Sequence, residues 1–267
     1  MPNPLKLCKR AYLEWKSARS QNAALAKDSD PSVNPTDFAI SLKRPTDYYI
    51  RLYQAFHREL PQELRAHREY FRQEKRGFGE DAFHAMWKLL FERFCPRNFL
   101  EIGVYRGQVL SLVSLISKIN KSDCELTGIS PFSPAGDSVS EYLVNLDYMA
   151  DTLRNFEHFG LPRPSLLKAY STDPAAVQRI ASIQWDMIYI DGNHDYEIVA
   201  RDWEVCTGAL ARGGIVVLDD SGLTSSYTPP LFATGGHPGP SRLASEIDSG
   251  KFEEILQVGH NRVFRKL

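Results

Sequence analysis

Residues 186–220 read DMIYIDGNHDYEIVARDWEVCTGALARGGIVVLDD and decide the fold class. A short apolar run ends at Asp191, a stretch with helical apolar spacing follows, and a second apolar run ends at Asp219 and Asp220. Continuous apolar runs separated by a helix are typical of neighbouring parallel strands that are buried on both faces. The stretch therefore predicts a strand–helix–strand unit that brings three carboxylates to one edge of a parallel sheet.

The same alternation runs through the chain from Asn98 onward. Short apolar runs predict further strands at 98–103, 125–129, 165–170 and 214–219, and apolar stripes predict helices at 109–116, 142–156 and 196–210. The last two β-like runs, 253–258 and 261–266, are too close for a crossover helix and must form an antiparallel hairpin. We therefore expect an α/β fold, with a Rossmann-like, doubly wound, seven-stranded sheet that ends in an antiparallel hairpin.

Residues 1–95 show helical spacing and almost no strand signal. The apolar stripe over 83–94 predicts one helix, and two further helices are expected near 49–56 and 61–75. A basic amphipathic helix is expected over 5–18, and a polar linker over 20–37 follows it. The basic helix either lies on a membrane surface or packs its apolar stripe on the body or on a partner subunit. We expect 1–95 to be a lid or a homo-oligomer contact, and 96–267 to be the catalytic domain.

Composition excludes several classes of protein. Lys+Arg 32 and Asp+Glu 33 give a net charge of -1, which argues against a nucleic-acid partner. No apolar run approaches the ~18 residues of a membrane span, and no signal-peptide core is visible, so we expect a cytoplasmic protein without an integral membrane segment. The four cysteines form no C-x-x-C pair, which argues against a zinc site or a disulfide framework.

A glycine loop follows the first predicted strand, in the stretch Leu100-Glu-Ile-Gly-Val-Tyr-Arg-Gly107. Its glycines permit a tight turn, and the acid in place of a dinucleotide-binding glycine suits an ammonium group better than a pyrophosphate. The pattern E-x-G-x-x-x-G resembles motif I of class I S-adenosylmethionine (SAM) methyltransferases. That resemblance implies that Glu101, Gly103, Tyr105 and Gly107 hold the methionine end of SAM.

Two further strand ends match cofactor contacts of that family. Ser130 stands where an acid commonly binds the ribose hydroxyls, which is a departure from the family pattern. Ser171 and Thr172 follow the third strand, where small polar residues contact the adenine. Capping of the next helix, at Thr172 or Asp173, explains that second stretch equally well.

The three acids of the opening stretch form a candidate metal site. Asp191, Asp219 and Asp220 would repel one another at one sheet edge unless a cation lies between them. Ligation by oxygen alone favours Mg²⁺, then Mn²⁺. Asp191 also borders the expected cofactor pocket, and His194 can face the same cavity. Helix and loop caps are the structural alternative for these acids.

The pattern D-G-x-H-x-Y followed by G-G-x-x-x-x-D-D resembles the metal-dependent sugar O-methyltransferases of macrolide biosynthesis, over about 99–267. The resemblance implies that Asp191, Asp219 and Asp220 hold Mg²⁺ and that His194 is the general base. Asp219 replaces the glutamate typical of that group. The expected reaction is methyl transfer from SAM to a hydroxyl of a sugar or glycosylated small molecule.

Three alternatives compete with this interpretation. The string Gly-Asn-His-Asp at 192–195 also occurs in metallophosphoesterases, but the other motifs that such enzymes need are missing. A nicotinamide dehydrogenase is disfavoured by Glu101. A non-catalytic SAM-binding or assembly subunit stays open, although the complete acid and histidine set argues against it.

His237 and Arg242 lie in a glycine-rich loop that either contacts substrate or is only structural.

Overall fold

The computed structural model describes residues 4–134 and 142–267, with the side chains of 4–8 left aside. Within these ranges seven strands form one sheet in the order β3-β2-β1-β4-β5-β7-β6. The first five strands are parallel, and β7 lies antiparallel between β5 and β6. The strands are β1 (Asn98–Ile102), β2 (Glu125–Ser130), β3 (Ser165–Lys168), β4 (Trp185–Ile190), β5 (Leu210–Leu218), β6 (Phe252–Val258) and β7 (Asn261–Lys266). The predicted α/β fold and its closing hairpin are confirmed.

Of the α-helices in the described residues, five precede the first strand and five lie between strands, and together they cover both faces of the sheet. They are α1 (Pro4–Ala26), α2 (Phe38–Lys43), α3 (Pro45–Arg58), α4 (Gln62–Arg72), α5 (Asp81–Phe94), α6 (Gln108–Asn120), α7 (Tyr148–His158), α8 (Pro174–Ala181), α9 (Tyr196–Gly208) and α10 (Pro238–Glu246).

Two helix boundaries differ from the sequence prediction. The expected linker from Ser20 begins as helix, because the Ala- and Leu-rich stretch that ends at Ala26 favours continuation of α1. The apolar stripe from Tyr142 does not start a helix. Instead α7 starts after Asp147, whose carboxylate accepts a hydrogen bond from the Ala150 amide and so caps the helix.

The N-terminal helices share a hydrophobic core with one face of the sheet. Trp87 of α5 packs edge-to-face on Phe99 of β1 and on Tyr189 of β4, with ring centroids 5.6 and 5.1 Å apart. The opposite face packs against α8, α9 and α10. The division of the chain at residue 96 therefore stays a prediction, since the two parts meet across a continuous apolar contact.

Helix α1 presents apolar side chains to solvent. Tyr12, Leu13 and Trp15 are each more than half exposed. Both alternatives for this helix, a membrane surface and a partner subunit, stay predictions. Within the described residues, no helix combines the length and the apolar character that crossing a bilayer requires.

Two buried histidines join α4, α5 and α6. His67 Nδ1 lies 3.2 Å from His84 Nε2, and His67 Nε2 lies 2.9 Å from Ser111 Oγ. Burial, assisted by the charge of Arg68, lowers the pKa of His67 to about 3. Burial and then His67 hold the pKa of His84 well below its usual range. Both rings are therefore neutral in the folded protein at pH 7.

These histidines predict acid-sensitive stability. Below about pH 6.5 these histidines bind protons in the unfolded chain but stay neutral in the folded protein. The free energy of unfolding therefore falls as the pH is lowered from about 6.5 toward 3. Replacing His67 by Asn should reduce this slope by up to about 1.4 kcal/mol per pH unit. Urea unfolding between pH 7 and pH 5 gives the pH dependence of the free energy of unfolding for the wild type and for His67→Asn. Equal pH dependences would contradict a neutral, buried His67.

Candidate active site

A cavity of about 840 Å³ opens at the carboxyl ends of β1, β2, β4 and β5. This is the edge at which open α/β sheets bind ligands. Of the predicted site residues, only Gly107 is missing from its lining, which includes His194, Glu101, Gly103, Tyr105, Ser130, Ser171, Thr172, Asp191, Asp219 and Asp220.

The two glycines of the first loop have different tasks. Gly103 has φ +98°, and a Cβ on it would lie 1.8 Å from the Asp191 carbonyl oxygen. It therefore allows the ends of β1 and β4 to meet, with the Asp191 amide donating to the Ile102 carbonyl at 2.8 Å. Gly107 has φ +77°, and its missing Cβ faces the Thr152 methyl group. Gly107 thus sets the packing of α6 on α7, and its predicted cofactor contact stays a prediction.

Glu101 is a buried carboxylate at the end of β1. One oxygen accepts a hydrogen bond from the Leu110 amide in the first turn of α6, at 3.1 Å. Burial raises the pKa of Glu101 to about 8, although the Leu110 amide works in the opposite direction. A positively charged ligand in the cavity would offset the free-energy cost of ionising the buried Glu101, because it favours the charged form of the carboxylate.

An aromatic wall borders the cavity beside Glu101. The ring of Tyr105 lies 5.0 Å from Phe78, 5.9 Å from Tyr142 and 5.4 Å from Tyr148 between centroids. Phe78 belongs to the loop between α4 and α5 and is 65% exposed. The N-terminal segment therefore supplies part of the cavity wall, as a lid over this site would require.

The polar wall lies at the ends of β2 and β3. Ser130 is buried at the end of β2. Ser171 forms a side-chain hydrogen bond with buried Asp202, whose pKa burial raises to about 6 while this bond opposes the shift. Part of the role of Ser171 is therefore structural. Helix α8 is preceded by Asp173 rather than by Thr172, which leaves Thr172 in the cavity lining.

Two of the predicted metal ligands touch each other. Asp191 and Asp219 are partly buried and lie within hydrogen-bond reach of each other. Burial, followed by the charge of Asp219, raises the pKa of Asp191 well above its usual range. Two carboxylates in contact need a proton or a cation between them. The pair therefore fits a divalent cation in charge and in ligand chemistry.

Sequence reasoning missed His260, which lies beside these acids. Its Nε2 is 3.4 Å from Asp219 Oδ1 and 3.8 Å from Asp220 Oδ1, and its Nδ1 is 3.0 Å from Thr234 Oγ1. Burial opposes a charge on this ring, but the neighbouring carboxylates, above all Asp219, raise the pKa of His260 to about 10. The imidazolium in turn keeps the pKa of Asp219 low despite its burial.

The hairpin contained a signal for this residue. Strand β7 runs antiparallel to β5, with Leu218 opposite Arg262. The turn before β7 must therefore lie at the carboxyl end of β5, and His260 occupies that turn.

His194 forms a dyad with one of the predicted metal ligands. Its Nε2 lies 2.7 Å from Asp220 Oδ2, and the ring of His237 lies 4.1 Å away between centroids. His237 therefore belongs to the site. Arg242 does not line the cavity, because its guanidinium lies 3.8 Å from the centre of the Tyr196 ring and pairs with Glu246.

The potential metal donors are arranged around Asp220. In the described part of the chain, two sets of donor atoms lie within 4.8 Å of one another, namely Asp219–Asp220–His260 and His194–Asp220–His237. Asp191 belongs to neither set, although it contacts Asp219. The three predicted carboxylates thus share one cavity, and imidazoles stand on both sides of the central acid.

Part of the chain matches a known protein family. Residues 100–221 match the family model described as a methyltransferase domain. An uncharacterized protein of Acanthamoeba polyphaga mimivirus is 26% identical over 159 residues, which are 58% of this chain and 62% of the viral protein. The chain thus matches less than two thirds of that relative's length.

Solved structures share the fold. SAH-bound PaMTH1, a methyltransferase of Podospora anserina, has 16% identity and a TM-score of 0.52, over 78% of this chain and 89% of its own. An O-methyltransferase of Bacillus cereus in complex with SAH has 12% identity and a TM-score of 0.54, over 80% and 94% of the two chains. At these identities the likeness shows a common Rossmann-like fold.

The close contact at Gly103 predicts a large effect on stability. Gly103→Ala should lower the free energy of unfolding by about 2 kcal/mol or more, because the methyl group meets a backbone carbonyl at positive φ. Gly208→Ala is the matched control, since a Cβ there meets nothing within 4 Å and alanine favours a helix. Urea unfolding of both variants gives the difference, and equal stabilities would refute the proposed contact.

Proposed function

We propose that this chain is a SAM-dependent O-methyltransferase that needs a divalent cation, Mg²⁺ or Mn²⁺, and methylates a hydroxyl of a sugar or glycosylated small molecule. The observation that carries the proposal is one cavity in which buried Glu101, the Asp191–Asp219 pair and the His194–Asp220 dyad meet. The methyltransferase-domain match over 100–221 covers all five residues and supports it.

Glu101 is suited to the cationic amino group of SAM. Its carboxylate borders the cavity, and a positive partner offsets the cost of burying its charge. Ser130 replaces the expected ribose-binding acid and offers a single hydroxyl, so we expect the ribose to be held more weakly. Tyr105 provides an apolar wall for the thioether chain, and Thr172 is placed for the adenine.

Asp191, Asp219 and Asp220 would hold the cation. When bound, Mg²⁺ supplies Lewis acidity that lowers the pKa of an acceptor hydroxyl and fixes a neighbouring oxygen of a diol. The proton or cation that Asp191 and Asp219 require is the structural support for this assignment. His260 Nε2 lies 3.4 Å from Asp219 Oδ1, and its positive charge offsets part of the negative charge of the group.

His194 is placed to accept the hydroxyl proton. Asp220 accepts a hydrogen bond from a protonated Nε2, and this 2.7 Å contact orients the ring. When the ring takes up the hydroxyl proton, the Asp220 carboxylate stabilises the resulting imidazolium. This arrangement of a base oriented by a carboxylate is the one that general-base catalysis requires.

The direct test is a screen of glycosides and free sugars with radiolabelled SAM, in Mg²⁺ and in EDTA. We expect transfer in Mg²⁺ only. Asp191→Asn should lose Mg²⁺-supported turnover while its melting temperature stays close to that of the wild type, because the substitution keeps shape and removes charge. Full turnover in EDTA would refute the metal requirement. Absence of SAM binding by calorimetry would refute the enzyme assignment itself.

Removing the charge of Glu101 should weaken SAM binding. We expect Glu101→Gln to raise the dissociation constant about 10- to 100-fold, which is the effect of losing a charged hydrogen bond. The control is Glu125→Gln, an exposed acid at the start of β2. Calorimetry measures both variants, and an unchanged affinity of the first would remove Glu101 from the cofactor site.

Replacing His194 should affect turnover far more than binding. His194→Asn should lower turnover by about 10²- to 10⁴-fold and alter the acid limb of the pH profile, while SAM binding persists. The exposed His158, replaced by Asn, is the control. If the well-folded His194 variant keeps near-normal turnover, the histidine is structural.

A further inference from the structure

The loop over 235–241 is built to approach the catalytic loops closely. Gly236 has φ +96°, and a Cβ on it would lie 2.4 Å from the Asp220 carbonyl oxygen. A Cβ on Gly239 would lie 2.1 Å from the His194 carbonyl oxygen. The His237 amide donates to the Asp220 carbonyl at 2.8 Å. The two glycines thus bring the His237 ring next to His194, a placement that the proposed methyl transfer does not need.

The donor atoms at this point lie close enough together to share one ion, within 4.8 Å of one another. Asp220 Oδ2 lies 3.9 Å from His237 Nε2, which matches the spacing of about 3–4 Å that bonds of about 2.0–2.2 Å to one metal impose on neighbouring donors. Its distance of 2.7 Å from His194 Nε2 is that of a hydrogen bond, so this pair must separate slightly when a metal binds. The three side chains are 15 to 35% exposed, so an ion can enter and keep open positions for water.

We infer that His194, His237 and Asp220 form a binding site for a borderline divalent transition metal, such as Zn²⁺ or Co²⁺. Two imidazoles and one carboxylate favour such ions, whereas Mg²⁺ favours oxygen ligands alone. This site is distinct in ligand chemistry from the Asp191, Asp219 and Asp220 set.

Occupancy of this site has a consequence for catalysis, which rests on the proposed function. A metal bound to His194 Nε2 would displace the hydrogen bond with Asp220 that orients the ring. It would also add positive charge to the imidazole, which makes His194 a weaker base for the acceptor hydroxyl. Zn²⁺ or Co²⁺ at this site is therefore an inhibitor of an enzyme already saturated with Mg²⁺.

Cobalt binding tests the site without any need for turnover. The full chain carrying Cys95→Ser, which removes an exposed thiol, is titrated with Co²⁺ without SAM and in a large excess of Mg²⁺, which occupies the proposed all-carboxylate site, while the visible d–d absorption is recorded. We expect one Co²⁺ per chain with a nitrogen-ligand spectrum. His237→Asn should weaken binding at least about tenfold. Asp191→Asn and His158→Asn should retain the spectrum, because neither residue belongs to the donor set.

An unchanged Co²⁺ affinity and spectrum in His237→Asn would overturn the inference. Should that variant fold poorly, histidine-ring NMR of the Cys95→Ser chain titrated with Zn²⁺ replaces it. Shifts at His194 and His237 are then expected, and their absence contradicts the site. Failure of the methyl-transfer screen leaves these binding measurements untouched, so the two proposals are tested separately.

Discussion

The central constraint on this molecule is the burial of several carboxylates at one sheet edge. Glu101, Asp191 and Asp219 line one cavity, and the charge of Asp219 makes ionisation of Glu101 and of Asp191 less favourable. Three features offset the cost of placing these acids together: the imidazolium of His260, backbone amides such as that of Leu110, and a hydrogen bond between two acids. The remaining imbalance is what a cationic cofactor and a metal ion would satisfy.

Backbone proximity, rather than side-chain packing, holds these charges in place. Gly103 and Gly236 each allow a carbonyl to approach where any Cβ would collide. The first positions the end of β4 against β1, and the second positions His237 against the end of β5. The carbonyls belong to Asp191 and Asp220, so both contacts fix the backbone of an acid of the site. The folded protein therefore holds these carboxylates close together despite their repulsion, which is typical of a pre-organised site.

The sequence predicted the sheet well, because buried parallel strands are short apolar runs whose ends are easily recognised. It also placed the residues after each strand at one edge, which was sufficient to bring together Glu101, Asp191 and His194. Helix boundaries were predicted less well. The start of α7 depends on the Asp147 cap rather than on the apolar stripe that begins at Tyr142, and periodicity alone does not show this.

The histidines of the site were harder to find than its acids. His260 is placed by the antiparallel register of β7 on β5, and His237 by two glycines that need a specific partner backbone. Neither signal is a local motif, since each depends on which distant segment lies opposite. Motif reading therefore identified an all-carboxylate group, whereas the folded chain surrounds Asp220 with three imidazoles.

This arrangement gives Asp220 two tasks. One oxygen orients His194, and the other faces the acid cluster and His260. A hard cation held through the second oxygen would leave the first to orient His194, so that metal activation and proton removal would be compatible. A softer metal that prefers imidazole competes for the first oxygen and disrupts the dyad. The side of the Asp220 carboxylate that a metal uses thus depends on whether that metal prefers oxygen or imidazole ligands.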